Sequence, residues 1–266
     1  MNPWRDRENA KRHAVSWDKQ VRETCDAYIT KSIETSRIFE ENPSIDLLKG
    51  KSNGYDTNIK VVQATSVRAI FDVEDKDNIC VLNFASYKNP GGMYIDGSVA
   101  QEECLCHYST LYPVLSNNKF MNDFYLPNRK NLNRALYHSR LIYSPDIVFY
   151  PETKQDKPFR RLCDVITCAA PNKKAAQQYQ KVSNEEVEQV MKNRIMHILY
   201  AASEMGVKTL ILGAFGCGVF GNDNVVTAKI FNDCINKNYV DTFKTIIFAI
   251  PDTPTLNDFK RGVVEK

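Results

Sequence analysis

Residues 79–112 read ICVLNFASYKNPGGMYIDGSVAQEECLCHYSTLY, and three kinds of segment follow one another within them. Ile79-Cys80-Val81-Leu82 is a short apolar run of the strand type. It ends in a polar loop carrying Gly91 and Gly92, residues that let a backbone approach a ligand closely. The loop delivers Gln101, Glu102 and Glu103 to the start of an apolar-periodic helix. Strand, loop and helix in that order are the unit of an α/β sheet. Two adjacent carboxylates beside a glycine loop suggest bond-breaking chemistry.

The same alternation extends along the chain. Residues 59–62, 79–85, 165–168, 209–212 and 245–250 read as strands. Leu141-Ile142-Tyr143 and the apolar run from Ile147 to Tyr150 flank Ser144-Pro145-Asp146, which reads as a turn between two strands. Residues 99–115, 184–205 and 224–236 read as helices, with Ser183 suited to cap the second, Glu185 and Glu186 to its first turn and Gly206 to end it. Residues from about 5 to 39 read as helical and rich in charge, and 40–58, with Asn42-Pro43 and Asn53-Gly54, as a linker. Apolar strands alternating with helices imply a largely parallel sheet covered on both faces.

The 266 residues suffice for one large domain, or a domain plus an extension. Apolar residues make up 43% and charged residues 25%, ordinary values for a soluble globular chain. A net charge of +3 does not announce nucleic-acid binding, so none is expected. The N-terminus has no apolar signal-type region, and no apolar run is long enough to span a membrane. Eight cysteines without a secretion signal read as reduced cytosolic thiols, and a cytoplasmic location is expected. Cys104-Leu105-Cys106-His107 lacks the paired spacing of a zinc site, so no metal is expected. The four histidines are scattered and are assigned no role.

A second glycine-rich segment, residues 213–222 (GAFGCGVFGN), lies between a strand and a helix. Gly216, Gly218 and Gly221 match the G-x-G-x-x-G pattern, and free N–H groups before a helix favour phosphate. A tight turn explains the pattern equally well. A nicotinamide-dinucleotide site fits poorly, because one helix and one strand remain before the C-terminus, where that fold adds further parallel strands. Two glycine loops at one sheet edge suggest a diphosphate held between them. Glu102 and Glu103 diverge by about 100° on a helix and so cannot oppose each other across one bond. One is suited to acid/base work and the other to gripping a neighbouring hydroxyl. Acidic residues in a first helical turn also simply complement the helix dipole.

Together the two loops resemble the poly(ADP-ribose) glycohydrolase branch of the macrodomain superfamily, in its compact microbial form. The signature of that family is three glycines followed after six to eight residues by Gln-Glu-Glu. Here Gly91-Gly92-Met93 precedes Gln101-Glu102-Glu103 by seven residues. Ala170-Pro171-Asn172 after its strand and the helical N-terminal segment are also similar. The resemblance runs from about residue 10 to about residue 250.

It implies a three-layer α/β/α macrodomain with a mixed, largely parallel sheet. Residues 51–266 would form the catalytic domain and 1–50 a helical extension packed on it. Glu103 would be the catalytic acid/base and Glu102 its ribose-gripping partner. Gln101, Ser86, Asn89, Gly91, Gly92 and Met93 would line the distal ribose. Gly216, Cys217, Gly218, Val219, Phe220, Gly221 and Asn222 would hold the diphosphate, with Phe220 packed against the adenosine end.

The expected reaction is hydrolysis of the ribose–ribose O-glycosidic bond of poly(ADP-ribose), releasing ADP-ribose from a chain end, by a monomer without a cofactor. Tyr87, Tyr94 and Asn172 are further candidates for ligand contact. Two residues depart from the pattern. Met93 replaces the third glycine, and Ser86 stands where many relatives carry Asn. Either an ADP-ribose-binding module silenced by Met93 or a hydrolase of mono-ADP-ribosyl adducts remains an alternative.

Overall fold

The computed structural model describes residues 6–42, 44–74, 78–153 and 158–264. Seven strands form one sheet: β1 (Arg37–Phe39), β2 (Asn58–Val62), β3 (Ile79–Phe84), β4 (Leu141–Phe149), β5 (Arg161–Cys168), β6 (Thr209–Leu212) and β7 (Thr245–Ala249). Their order is β1-β4-β5-β3-β6-β7-β2. The five strands from β5 to β2 run parallel, and β4 is antiparallel to both β5 and β1.

Eleven α-helices are described. They are α1 (Arg7–Thr24), α2 (Asp26–Thr35), α3 (Ser66–Asp72), α4 (Gln101–His107), α5 (Leu111–Leu115), α6 (Asn118–Phe120), α7 (Leu126–Lys130), α8 (Lys173–Gln180), α9 (Asn184–Glu204), α10 (Asn224–Asn238) and α11 (Thr253–Lys260). A π-type turn, Met121–Tyr125, joins α6 to α7.

The side-chain alternation of the central strands sorts these helices into two layers. Cys80, Leu82, Leu210 and Leu212 face a core with Ile195, Leu199, Phe231 and Leu256 of α9, α10 and α11. Ile79, Val81 and Ile211 face the other core, with Ala14, Ile29, Ile70, Leu105 and Leu111 of α1 to α5. The same period carries Asn83 to the α4 side, where it is fully buried.

The sequence reading is altered in four places. The expected N-terminal helix is broken at Cys25 into α1 and α2, and its last residues become strand β1. The segment expected as an extension contributes β1 to the sheet. Residues 141–149 form a single strand with a bulge between Ser144 and Ile147, not two strands and a turn. Asp146 adopts φ 57° there, and Asp164 accepts its backbone N–H. The helix expected over 99–115 is two, α4 and α5. Finally, α3, α8 and α11 are too short, at 7 or 8 residues, to stand out in the sequence, and α11 follows the strand expected to close the chain. On α9, Ser183 caps the helix start as expected, and the Glu186 side chain returns to the Ser183 N–H to make the cap reciprocal.

Candidate active site

The site lies at the carboxyl ends of β3, β6 and β7. Phe84, Ala214 and the segment from Ala249 to Asp252 line one cavity of about 300 Å³ together with Thr65, Ser66, Val67, Val99 and Gln101. A second lobe of about 230 Å³ shares Phe84, Ala100, Gln101 and Ala214 and continues along Phe215, Gly216, Gly218, Val219 and Phe220. The two lobes form one cleft with the second glycine loop as a wall. Ligands of open α/β sheets characteristically occupy this end of the strands.

Both carboxylates of α4 are buried, Glu102 to 3% and Glu103 to 6% exposure. Glu102 accepts the Ser86 N–H at 2.7 Å and the Asn83 side-chain amide at 3.2 Å. Glu103 accepts the Met93 N–H through Oε1 at 3.0 Å, while its Oε2 is buried and takes no donor among the described residues. Gly92 has φ +61°, and a Cβ there would sit 2.4 Å from Glu103 Oε1 and 3.0 Å from Glu102 Oε2. The loop backbone thus lies against both carboxylates at one point, and only glycine fits. Although the side chains leave the helix in different directions, they converge on this residue.

Burial pushes Glu102 up to about 8; hydrogen bonds from Ser86, Asn83 and Gly91 oppose that rise and the charge of Glu103 adds to it.

Gln101 holds the helix start to the strand end. Its Oε1 accepts the Phe84 N–H at 2.8 Å, and its Nε2 donates to Leu82 O at 2.9 Å and Ser66 Oγ at 3.0 Å. Ser86 Oγ accepts the N–H groups of Lys88 and Asn89 and so shapes the loop. Asn89 Oδ1 accepts from Arg129, which also donates to Lys88 O. Gly91 has φ +65° beneath Tyr112. The Met93 side chain is 49% exposed and lines neither lobe. Tyr94 is buried and donates to Ala14 O of α1, and Tyr87 stacks on Tyr137 at 4.3 Å.

In the second loop, Gly216 has φ +74°, and a Cβ there would meet Ala170 Cβ at 2.5 Å. Asn222 ties the loop shut, donating to Pro171 O and Gly216 O, each at 2.9 Å. Gly218 faces open space, and Val219 is 84% exposed. Among the described residues, the N–H groups of Gly218, Val219 and Phe220 have no backbone acceptor, which leaves them as donors for an anion. Cys217 is half-buried, its thiol turned to Phe215 O and Asp223 O. Phe220 lies 6.1 Å from Tyr137, on the side of the first glycine loop and away from the lobe that contains Thr65 and Asp252. The edge-to-face contact of Phe84 with Phe215 and the polar rim of Thr65, Ser66 and Asp252 were not read from the sequence. Their positions at strand ends were the available signal.

The family model described as microbial-type PARG, catalytic domain, matches residues 9–152, more than half of the chain. The chain belongs to the microbial-type poly(ADP-ribose) glycohydrolases.

Solved glycohydrolase structures agree over nearly the whole length. The enzyme from Thermomonospora curvata is 27% identical, with a TM-score of 0.85, covering 96% of this chain and 99% of that one. The enzyme from Deinococcus radiodurans in complex with ADP-ribose is 32% identical, with a TM-score of 0.79, covering 88% and 96% respectively. The Thermomonospora curvata enzyme bound to the inhibitor ADP-HPD is 26% identical, with a TM-score of 0.81. No curated protein matches the sequence.

Proposed function

We propose that this glycohydrolase hydrolyses the ribose–ribose bond at the end of poly(ADP-ribose), with Glu103 as acid/base and Glu102 as the hydroxyl-gripping partner. The observation that carries the assignment is the unengaged, buried Oε2 of Glu103 beside a loop that only glycine can form. Both oxygens of Glu102 are engaged by the protein, which suits it to orientation.

The adenosine end occupies the lobe of Val67, Val99, Ile250 and Pro251, with Thr65, Ser66 and Asp252 as polar edges. The diphosphate meets the N–H groups of Gly218, Val219 and Phe220. The distal ribose lies between Phe220 and the Gly91–Gly92 corner.

The C–O bond to the leaving chain then breaks as Glu103 gives its proton to the departing oxygen. An oxocarbenium-like centre forms at the distal ribose, and Glu103, now a carboxylate, takes a proton from water as its oxygen adds to that carbon. The net change is addition of one water, and Glu103 ends protonated as it began. The negative charge of the bound diphosphate disfavours a further negative charge beside it.

We further propose that α1 acts as an extension bracing the segments on either side of α4. Arg7 donates to Asp96 O, Trp17 to Ser109 O and Tyr94 to Ala14 O. A cytoplasmic monomer is proposed on eight free cysteines and on the lack, among the described residues, of any helix able to cross a membrane. Nucleic-acid binding is not proposed, in keeping with a net charge of +3.

Labelled poly(ADP-ribose) tests the reading. Release of ADP-ribose from the first time points, without intermediate fragments, is expected. Tight ADP-ribose binding without turnover would leave a binding module, and turnover confined to mono-ADP-ribosylated protein would reassign the substrate.

A further inference from the structure

A third cavity, of about 600 Å³, lies outside the cleft. Its lining includes Lys88, Lys130, Arg134, Asn133, Asn172 and Tyr179, and no carboxylate. Lys88 belongs to the same loop as Ser86 and Gly92. Tyr137, which also lines the cavity, contacts Phe220 and Tyr87. The cavity therefore adjoins the end of the cleft at which the catalytic loop and Phe220 meet, opposite the Thr65–Asp252 lobe.

Three physical features mark it as a binding surface. The first is charge: Lys88, Lys130 and Arg134 are exposed, and only Arg134 has a carboxylate partner among the described residues, Glu186 at 2.6 Å. The second is backbone strain. Asn133, Arg134, Ala135 and Tyr137 all have positive φ (43°, 52°, 65° and 62°), a run that non-glycine residues rarely adopt. Arg194, fully buried, holds this segment from behind by donating to Leu136 O, Tyr137 O and Ser139 Oγ, and it adds a positive charge beneath the groove. The third is Tyr179, a 70% exposed aromatic face beside the cations. Cations in a groove with an aromatic platform suit a nucleoside diphosphate, whose phosphates take the charge and whose base stacks.

We infer that this groove, formed by Lys88, Lys130, Arg134 and Tyr179, binds the first nucleoside diphosphate of the leaving chain, on the far side of the scissile bond from the cleft. The inference rests on the hydrolase reading. The groove draws the polymer to the site and favours it over an adduct whose leaving group carries no phosphate.

The double variant Lys130→Glu/Arg134→Glu, and separately Tyr179→Ala, tests it on two substrates. One is poly(ADP-ribose). The other is ADP-ribose with a 4-nitrophenyl group on the distal ribose, which has no leaving chain. For the double variant, kcat/KM on polymer is expected to fall by about tenfold or more through KM, with loss of most of its salt dependence, and to stay within about twofold on the nitrophenyl substrate. Tyr179→Ala should lose severalfold on polymer alone, and unchanged thermal midpoints would establish folding. Equal activity on both substrates, or equal loss on both, would overturn the groove while leaving the hydrolase intact. Inhibition of the wild type by an RNA oligonucleotide more strongly than by polymer fragments would also overturn it. A wild type inactive on both substrates would overturn the hydrolase reading and the groove with it.

Discussion

Glu102 sets the pH behaviour of the site. Its pKa is raised from 4.5 to about 8, so the folded protein holds a proton that the unfolded chain releases. The stability tied to that group is full below pH 4.5 and is lost as the pH rises through 8, by up to about 1.4 kcal/mol per pH unit. Glu102→Gln should therefore gain thermal stability relative to the wild type between pH 5 and pH 9; a constant difference would contradict the burial argument. Ionisation of Glu102 also adds negative charge next to a dianionic ligand. ADP-ribose affinity of the wild type, measured by calorimetry, should weaken severalfold as pH rises through about 8. Gly92→Ala is expected to remove activity, because its Cβ would lie 2.4 Å from Glu103 Oε1. Met93→Gly should change ADP-ribose affinity little, because that side chain is half-exposed and outside both lobes. At this position the backbone N–H of Met93 donates to Glu103 Oε1, while the side chain lies outside both lobes.

Each glycine loop works because a polar side chain closes it. Asn222 joins Gly216 O to Pro171 O and keeps the loop N–H groups turned outward. Asn222→Ala should cost about 1–3 kcal/mol in urea unfolding and weaken ADP-ribose binding more than it slows chemistry. Gln101 does the same for the first loop by joining α4 to β3. Sequence spacing made both elements legible, since the glycines and the Gln-Glu-Glu triplet occupy fixed positions relative to strands of clear apolar character. It did not make legible that Gln101 and Asn222 spend their amides inside the protein, because the acceptors, Leu82 O and Pro171 O, are backbone atoms brought near only by folding. The short helices α3, α8 and α11 were hidden for a related reason. Their lengths of 7 and 8 residues give at most two turns of periodicity, and packing on the sheet decides them.

At the scale of the molecule, the layered sheet was readable from the alternation of apolar strands and helices, whereas the antiparallel edge was not. β1 lies in a charged segment of helical character, and β4 contains Ser-Pro-Asp, a turn signal that a bulge absorbs. The buried guanidinium of Arg194 was equally invisible, since nothing in an amphipathic helix marks one arginine as internal. Arg194→Met should destabilise the fold by about 3 kcal/mol or more, leaving carbonyls of Leu136, Tyr137 and Ala169 without their donor. A thermal midpoint equal to that of the wild type would exclude this role. The proposed acid/base is one carboxylate, and Glu103→Gln addresses it directly. The substitution should retain ADP-ribose binding by calorimetry while lowering release of ADP-ribose from labelled polymer by about 100-fold or more. Undiminished release by the Gln variant, with binding intact, would contradict the assignment of Glu103 as acid and base.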